Sequence, residues 1–314
     1  MKYWIKHHQH KAKPLDQALK SEGWIRTPSN ADIALLDRDF LILHNKEPRP
    51  ILVQRAKQGA TIVIYPHSVL PPWWYDGLTP IHEKVACILV HGEAHKKAMK
   101  IIAPKARTEV IGWYHCPIKL YKAKPIRRIL FAPIHPSGRR ELRSEAKEAN
   151  IQILEALIKL KSKPAYKRTQ IVIRSIYPLD WQGLWNNAKI IYQQGKPNGS
   201  YKDIDEADLI ICEGTFMYLA VARGKPVIGI NQDKSPRPNH NPENFKLKTF
   251  NQWGKIIAYP INFGDLPLIE LIDKAMDGEQ SQWRQNNLGM PLNPKNFSKL
   301  LIEIRRKSNH HGTL

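Results

Sequence analysis

The stretch from Asp205 to Ile230, DEADLIICEGTFMYLAVARGKPVIGI, constrains the fold of this 314-residue chain more than any other. An apolar strand, Leu209–Cys212, runs into Gly214 and Thr215; an apolar helical run follows, and Gly224 with Pro226 closes it before a second strand, Val227–Ile230. Strand, tight turn, helix and strand in that order specify a parallel β-α-β unit. The helix starts where the first strand ends, so its unpaired N–H groups face whatever sits above the strand ends. A diphosphate suits that position, with Glu213, Gly214 and Thr215 as its contacts. A β-α-β unit without a ligand carries the same pattern and stands as the plain alternative.

The alternation recurs along the whole chain. Apolar runs at Tyr3–Lys6, Ile33–Leu36, Leu41–His44, Thr61–Tyr65, Cys87–Val90 and Glu109–Ile111 read as strands, with helices at Leu15–Glu22, Ile51–Gln58 and Glu93–Ile102. After a basic, proline-containing connector the pattern begins again at Arg128–Phe131. A long helix follows over Glu141–Lys161, with Ala146, Ala149, Ile153, Leu157 and Leu160 on one stripe. Further strands are expected at Gln170–Arg174 and Lys189–Tyr192. The fold class is therefore α/β, with two Rossmann-like domains: residues 1–120, residues 121–290, and a terminal amphipathic segment 291–314 with its helix near Asn296–Arg306.

Composition narrows the environment and the partners. No run approaches the eighteen apolar residues of a membrane span, and the N-terminus lacks the apolar centre of a secretory signal. Cys87, Cys116 and Cys212 lack the paired spacing of a zinc site or disulfide framework, so a reduced, cytoplasmic setting is expected and no metal. The chain has 49 Lys and Arg against 28 Asp and Glu, a net +21. Between Lys96 and Arg174 there are 20 basic and 5 acidic residues, a local excess of +15. A field of that sign draws polyanions such as DNA, an anionic cell-surface polymer or an acidic membrane surface. A solvated basic surface is the alternative.

Several residues carry chemistry by type and place. Strand Thr61–Tyr65 leads through Pro66 to His67, whose imidazole is suited to take a proton near neutral pH; a structural histidine is the alternative. Asp37 and Asp39 follow another strand, as candidate bases or a polar turn. Trp73, Trp74 and Tyr75 form an aromatic loop that can stack on a sugar or an unpaired base, or serve interdomain packing. Past Phe131 come His135, Ser137, Arg139 and Arg140; guanidinium groups match phosphate geometry, although either arginine is equally a surface charge at a helix start. Asp233 follows the strand that closes the opening unit.

The turn at Gly214–Thr215 resembles the diphosphate-binding turn in the second half of GT-B glycosyltransferases and related nucleotide-sugar epimerases. The run Leu130-Phe131-Ala132-Pro133, the Tyr65-Pro66-His67 strand end and His91-Gly92-Glu93 are similar to segments of CDP-glycerol glycerophosphotransferase-like proteins. The resemblance implies two Rossmann-like domains facing a central cleft and a UDP-sugar or CDP-linked donor. It further implies His67 as general base on the acceptor side, metal-independent inverting transfer, and donor contacts from His135, Ser137, Arg139, Arg140, Glu213, Gly214, Thr215 and Asp233. Many such families carry a ribose-binding Glu where this chain has Leu219. Together with the basic charge, the resemblance implies a nucleotide-sugar-dependent transferase acting on a hydroxymethylated pyrimidine in DNA, similar in logic to phage DNA glucosyltransferases. A teichoic-acid-like or capsular polymer is the alternative acceptor. A nonenzymatic nucleic-acid binder on the same scaffold is the second alternative.

Overall fold

The computed structural model describes residues 1–6, 12–37, 50–66, 85–122, 124–133, 140–175, 179, 190–194, 200–212, 214–231, 256–258, 267–277 and 280–308. The chain divides into two compact units, one of residues 1–117 with 285–314 and one of residues 118–284. The expected strand at Leu41–His44 falls outside the described residues.

In the first unit the strands are β1 (Lys2–Ile5), β2 (Ile25–Arg26), β3 (Ile33–Asp37), β4 (Thr61–Tyr65), β5 (Cys87–Val90) and β6 (Thr108–Val110). They form a parallel sheet in the order β2-β1-β3-β4-β5-β6. Such a sheet is covered on both faces, which is why its strands are continuous apolar runs rather than alternating ones. Tyr3, Ile33, Leu35, Val63, Tyr65 and Leu89 face helix α1 (Lys13–Ser21) and the C-terminal helix; Ala34, Leu36, Ile62, Ile64, Ile88 and Val90 pack with α2 (Pro50–Lys57) and α3 (Glu93–Ile102).

The second unit holds β7 (Arg128–Phe131), β8 (Gln170–Ser175), β9 (Ile191–Gln194), β10 (Leu209–Cys212), β11 (Val227–Asn231) and β12 (Ile256–Ala258). These are parallel too, in the order β12-β11-β10-β7-β8-β9. Its helices are α4 (Arg140–Lys161), α5 (Ser200–Glu206), α6 (Gly214–Ala222), α7 (Leu268–Met276) and most of α8 (Gln280–Leu288). The stripe expected on the long helix is the buried face of α4, which packs with Ile272 and Ala275 of α7 over Ile129, Phe131, Ile171, Ile173, Ile211 and Ile228. The expected strand at Lys189–Tyr192 lies two residues further on. Strand β2, helix α5, strand β12 and helix α8 carry no clear signal in the sequence: the two strands are very short, and α8, QSQWRQNNL, has no apolar stripe; helix α7, LIELIDKAM, does carry one, Leu268, Ile272 and Ala275 being buried on one face.

Helix α9 (Pro294–Ser308) belongs to the first unit. Asn293 caps it, its Oδ1 accepting the Asn296 N–H at 3.0 Å, and Pro294 opens it. Phe297, Leu301 and Ile304 are buried against the first sheet, Ser298 accepts the Trp24 indole N–H at 2.8 Å, and Glu303 pairs with Arg107 at 3.0 Å. The approach to this helix runs so close to the sheet that a β-carbon on Gly112 (φ +80°) would overlap the carbonyl oxygen of Met290. Gly59 (φ +78°) has open space beside it. Gly59→Ala is thus expected to cost about 1–2 kcal/mol of left-handed strain alone, and Gly112→Ala about 3 kcal/mol or more, because backbone must also move. Urea denaturation of the two variants tests the difference.

Candidate functional site

In an open parallel sheet, ligands bind outside the carboxyl ends of the strands, at the point where strand order reverses. In the second unit the chain leaves β7 towards β8 and β9, then returns to β10 and leaves towards β11 and β12. The reversal therefore lies between β7 and β10. Helix α6 starts there, two residues after β10 ends at Cys212, and Gly214 and Thr215 are its first residues. Helix α4, opening at Arg140, follows β7 on the adjacent strand. Two helix N-termini, each carrying about half a positive charge, thus belong to neighbouring strand ends.

Beside them stands a group the sequence did not single out. Arg174, near the end of β8, is 6% exposed; its Nε donates to Asp203 of α5, whose other oxygen accepts from Gln193 of β9 at 2.8 Å. The Arg174 guanidinium lies 5.3 Å from the ring centroid of Phe216, in the first turn of α6. Arg174 therefore links the start of α6 to β8, β9 and α5. Asp203 balances its charge, so its structural effect is to hold Phe216 and the helix start rather than to add a net cation. The signal available in the sequence was an arginine ending an otherwise apolar strand, QIVIRS. Leu219 sits half-buried one turn into α6, with Tyr218 and Ala220 buried on either side.

In the first unit the strand order reverses between β1 and β3. Asp37 ends β3 at that reversal, fully buried, in register with Tyr65 of β4. The Tyr65 hydroxyl donates to the Lys6 carbonyl at 2.7 Å, tying β4 to the end of β1. The next residue, Pro66, accepts a hydrogen bond from the Tyr114 hydroxyl at its carbonyl, so the strand end leading into His67 is held on both sides. Asp37 thus occupies the first sheet's switch point, a stronger position than its sequence context implied.

Further along the same edge, β5 and β6 end in a cluster of rings. His91 lies 5.0 Å from Trp113, 5.2 Å from Tyr114, 5.2 Å from His115 and 6.5 Å from His95, centroid to centroid. Its Nδ1 donates to the Gly112 carbonyl at 3.0 Å, which in the neutral ring leaves Nε2 as the acceptor. The sequence signal for this cluster was Gly112-Trp113-Tyr114-His115-Cys116 directly after a strand. Burial pushes the Cys87 thiol up to about 12, and Cys212 is fully buried, as expected of inert thiols.

Of the other residues expected from the sequence, His67, Asp39, Trp73, Trp74, Tyr75, His135, Ser137, Arg139, Glu213 and Asp233 lie outside the described residues. Among the described residues, no group of three or more His, Cys, Asp or Glu is placed to hold a metal ion, and no helix is long and apolar enough to cross a membrane.

Burial holds the His95 imidazole far below the ordinary histidine value, at about 3; the charge of His91 acts in the same direction and a backbone hydrogen bond with Asn287 opposes it. The unfolded chain takes up this proton below about pH 6.5, whereas the folded chain takes it up only near pH 3. Stability should therefore be unaffected by His95 above about pH 6.5, and should fall by up to about 1.4 kcal/mol per pH unit as pH drops towards 3. Denaturant titrations across this window should show a shallower fall for His95→Leu.

Solved structures with the GT-B arrangement match this chain over nearly its whole length. MurG of Acinetobacter baumannii superposes with a TM-score of 0.56 at 12% identity, covering 96% of this chain and 99% of its own. The glycotransferase of kitacinnamycin gives 0.54 at 12% identity, covering 96% and 98%. The wall teichoic acid polymerase TagF, in a structure with CDPG, gives 0.51 at 11%, covering 98% and 89%. Against TarM this chain spans 55% of the other's length. At these identities the likeness shows the fold: two Rossmann-like α/β domains of the GT-B type. No protein-family model and no curated protein sequence matches the chain.

Proposed function

We propose that this chain is a nucleotide-sugar-dependent glycosyltransferase acting on a polyanionic acceptor, with a 5-hydroxymethylated pyrimidine of DNA as its leading substrate. The observation that carries the reading is the start of α6 at the switch point of the second sheet. Backbone N–H groups and the helix dipole there favour a dianion and require no cation to do so. The GT-B fold, shared with MurG and TagF across both units, supports a nucleotide donor in that half.

In this reading the acceptor hydroxyl oxygen attacks the anomeric carbon while the bond from that carbon to the donor diphosphate breaks. The diphosphate leaves with the bonding electrons, and the hydroxyl proton passes to a base. His67 is that base, with Asp37 or Asp39 as the carboxylate alternatives. Gly214, Thr215 and the Glu213 backbone before them, with His135, Ser137, Arg139 and Arg140 from the stretch that follows β7, receive the departing charge. Asp233 contacts the donor sugar. Attack opposite the leaving group inverts the anomeric centre and needs no metal. Trp73, Trp74 and Tyr75 stack on the extruded base. Leu219 supplies no carboxylate for the ribose hydroxyls, so donor affinity comes mainly from the diphosphate. Cytoplasmic location follows from the substrates.

A second acceptor reading, a teichoic-acid-like or capsular polymer with a CDP-linked donor, is supported by the likeness to the teichoic acid polymerase TagF.

UDP-sugars and CDP-linked donors are expected to raise the melting temperature of the full chain. Incubation of a mixed donor pool with 5-hydroxymethylcytosine DNA should yield glycosylated nucleosides by mass spectrometry. His67→Ala should lower transfer by about 10²–10⁴ and keep the donor-induced shift. Transfer to a polymer with none to DNA selects the second acceptor. No shift with any donor rejects both enzymatic readings and leaves a nucleic-acid binder.

A further inference from the structure

The second unit has a pocket of about 560 Å³ at the opposite edge of its sheet from the α6 start. Its walls are the stretch entering β7, the α5–β10 turn and the α6–β11 turn, all at the amino ends of their strands. The volume is that of an ordinary ligand site. Lys119, Lys122, Lys124, Arg223 and Lys225 line it, against the carboxylates of Asp205 and Asp208.

Both carboxylates are occupied from within. Asp205 takes Arg223 in a two-pronged pair, with the Arg223 Nε at 2.7 Å, and Lys119 at 3.4 Å; Arg223 in particular holds the Asp205 carboxyl below its usual range. Asp208 accepts the backbone N–H groups of Arg127 and Arg128 at 2.9 and 3.0 Å. Lys225 donates to the carbonyls of Asp205 and Ala207 at 2.7 and 2.6 Å. Lys122 and Lys124 are exposed and make no hydrogen bond or ion pair with the described residues. Burial lowers the Lys225 pKa; the Asp205 and Asp208 carboxylates oppose that shift, and Lys124 and Lys119 add smaller contributions in the same direction as burial.

An aromatic ring stands beside this charge. Tyr201, one helical turn from Asp205 on α5, is 39% exposed, and the Arg223 guanidinium lies 5.2 Å from its ring centroid. Lysines that track a backbone, next to an exposed ring braced by an arginine, are the pattern that binds single-stranded nucleic acid. A poly(glycerol phosphate) chain offers the ring neither a base nor a sugar face to stack on.

We propose that this pocket holds the phosphodiester backbone of a nucleic-acid strand, with Lys122 and Lys124 contacting phosphates and Tyr201 stacking on a base. It lies about 13 Å from the carboxyl edge, the length of the four-residue β10 at 3.3 Å per residue, so it anchors the polymer away from the reacting base. The inference deepens the DNA reading of the acceptor and rests on it.

The test is fluorescence anisotropy of a labelled 12-nucleotide thymidine strand with the full chain. Lys122→Ala/Lys124→Ala is expected to weaken binding about tenfold and to flatten the log–log salt dependence by about 1.4, at about 0.7 per lost phosphate contact. Tyr201→Ala should also weaken binding by about tenfold, and Tyr201→Trp should restore it. The equally exposed pair Lys295→Ala/Lys299→Ala should change little. Binding within twofold of wild type in the Lys122/Lys124 variant overturns the proposal. So does equal competition by a poly(glycerol phosphate) of matched charge combined with no effect of Tyr201→Ala. Donor-induced melting shifts, measured in parallel, separate the outcomes: lysine-dependent strand binding without any donor shift keeps the pocket and rejects glycosyl transfer, and the converse rejects only the pocket.

Discussion

A fully parallel sheet must be covered on both faces, and the rest of this structure depends on how the chain meets that requirement. Strands joined by helices wind over one face while the chain moves outward in one direction; covering the second face requires a return to the middle and a departure the other way. The second unit does this at β7 and β10, and the first at β1 and β3. Each return leaves two neighbouring strand ends whose connections diverge to opposite faces. The opening between them is a consequence of burying the sheet, and Gly214, Thr215 and Asp37, singled out from the sequence, belong to those strand ends.

The two edges differ in how they are built. In the second unit the helix start is free of bulky first residues and is braced from the side by the Arg174–Asp203 pair and Gln193. Such a buried pair contributes little net stability but fixes geometry, because either partner alone would be a buried charge. In the first unit the edge is braced by hydroxyl groups: Tyr65 to the Lys6 carbonyl and Tyr114 to the Pro66 carbonyl. One edge carries a braced helix start, the other a braced strand end that leads into His67.

Much of the architecture was legible in the sequence because parallel strands, buried on both faces, read as unbroken apolar runs. Ile33–Asp37, Thr61–Tyr65, Cys87–Val90, Arg128–Phe131 and Leu209–Cys212 all stand out in this way. Helix α7 has an apolar stripe of its own, but the other elements that escaped are those whose stability comes from elsewhere. Strand β2 is two residues fastened to β1, and α8 is a polar helix without an apolar stripe. Of the site, the α6 turn was readable because glycine and threonine at a strand-to-helix junction have a local physical meaning. Arg174 was not, since its partners Asp203, Gln193 and Phe216 lie 19 to 42 residues away and meet it only when β8, β9, α5 and α6 assemble.

The sequence by itself determined the α/β class, the two-unit plan, the strongly basic balance and the strand-turn-helix at Gly214, because each is written in local periodicity or composition. Tertiary structure decided the rest. Sheet order set which strand ends adjoin, and so turned the helix after Cys212 from a generic β-α-β feature into the switch-point helix of the second sheet. It also drew Arg223 and Lys225 beside Lys119, Lys122 and Lys124, about a hundred residues earlier, into one pocket. Local spacing encodes what a segment becomes; only long-range strand pairing fixes which segments share an edge.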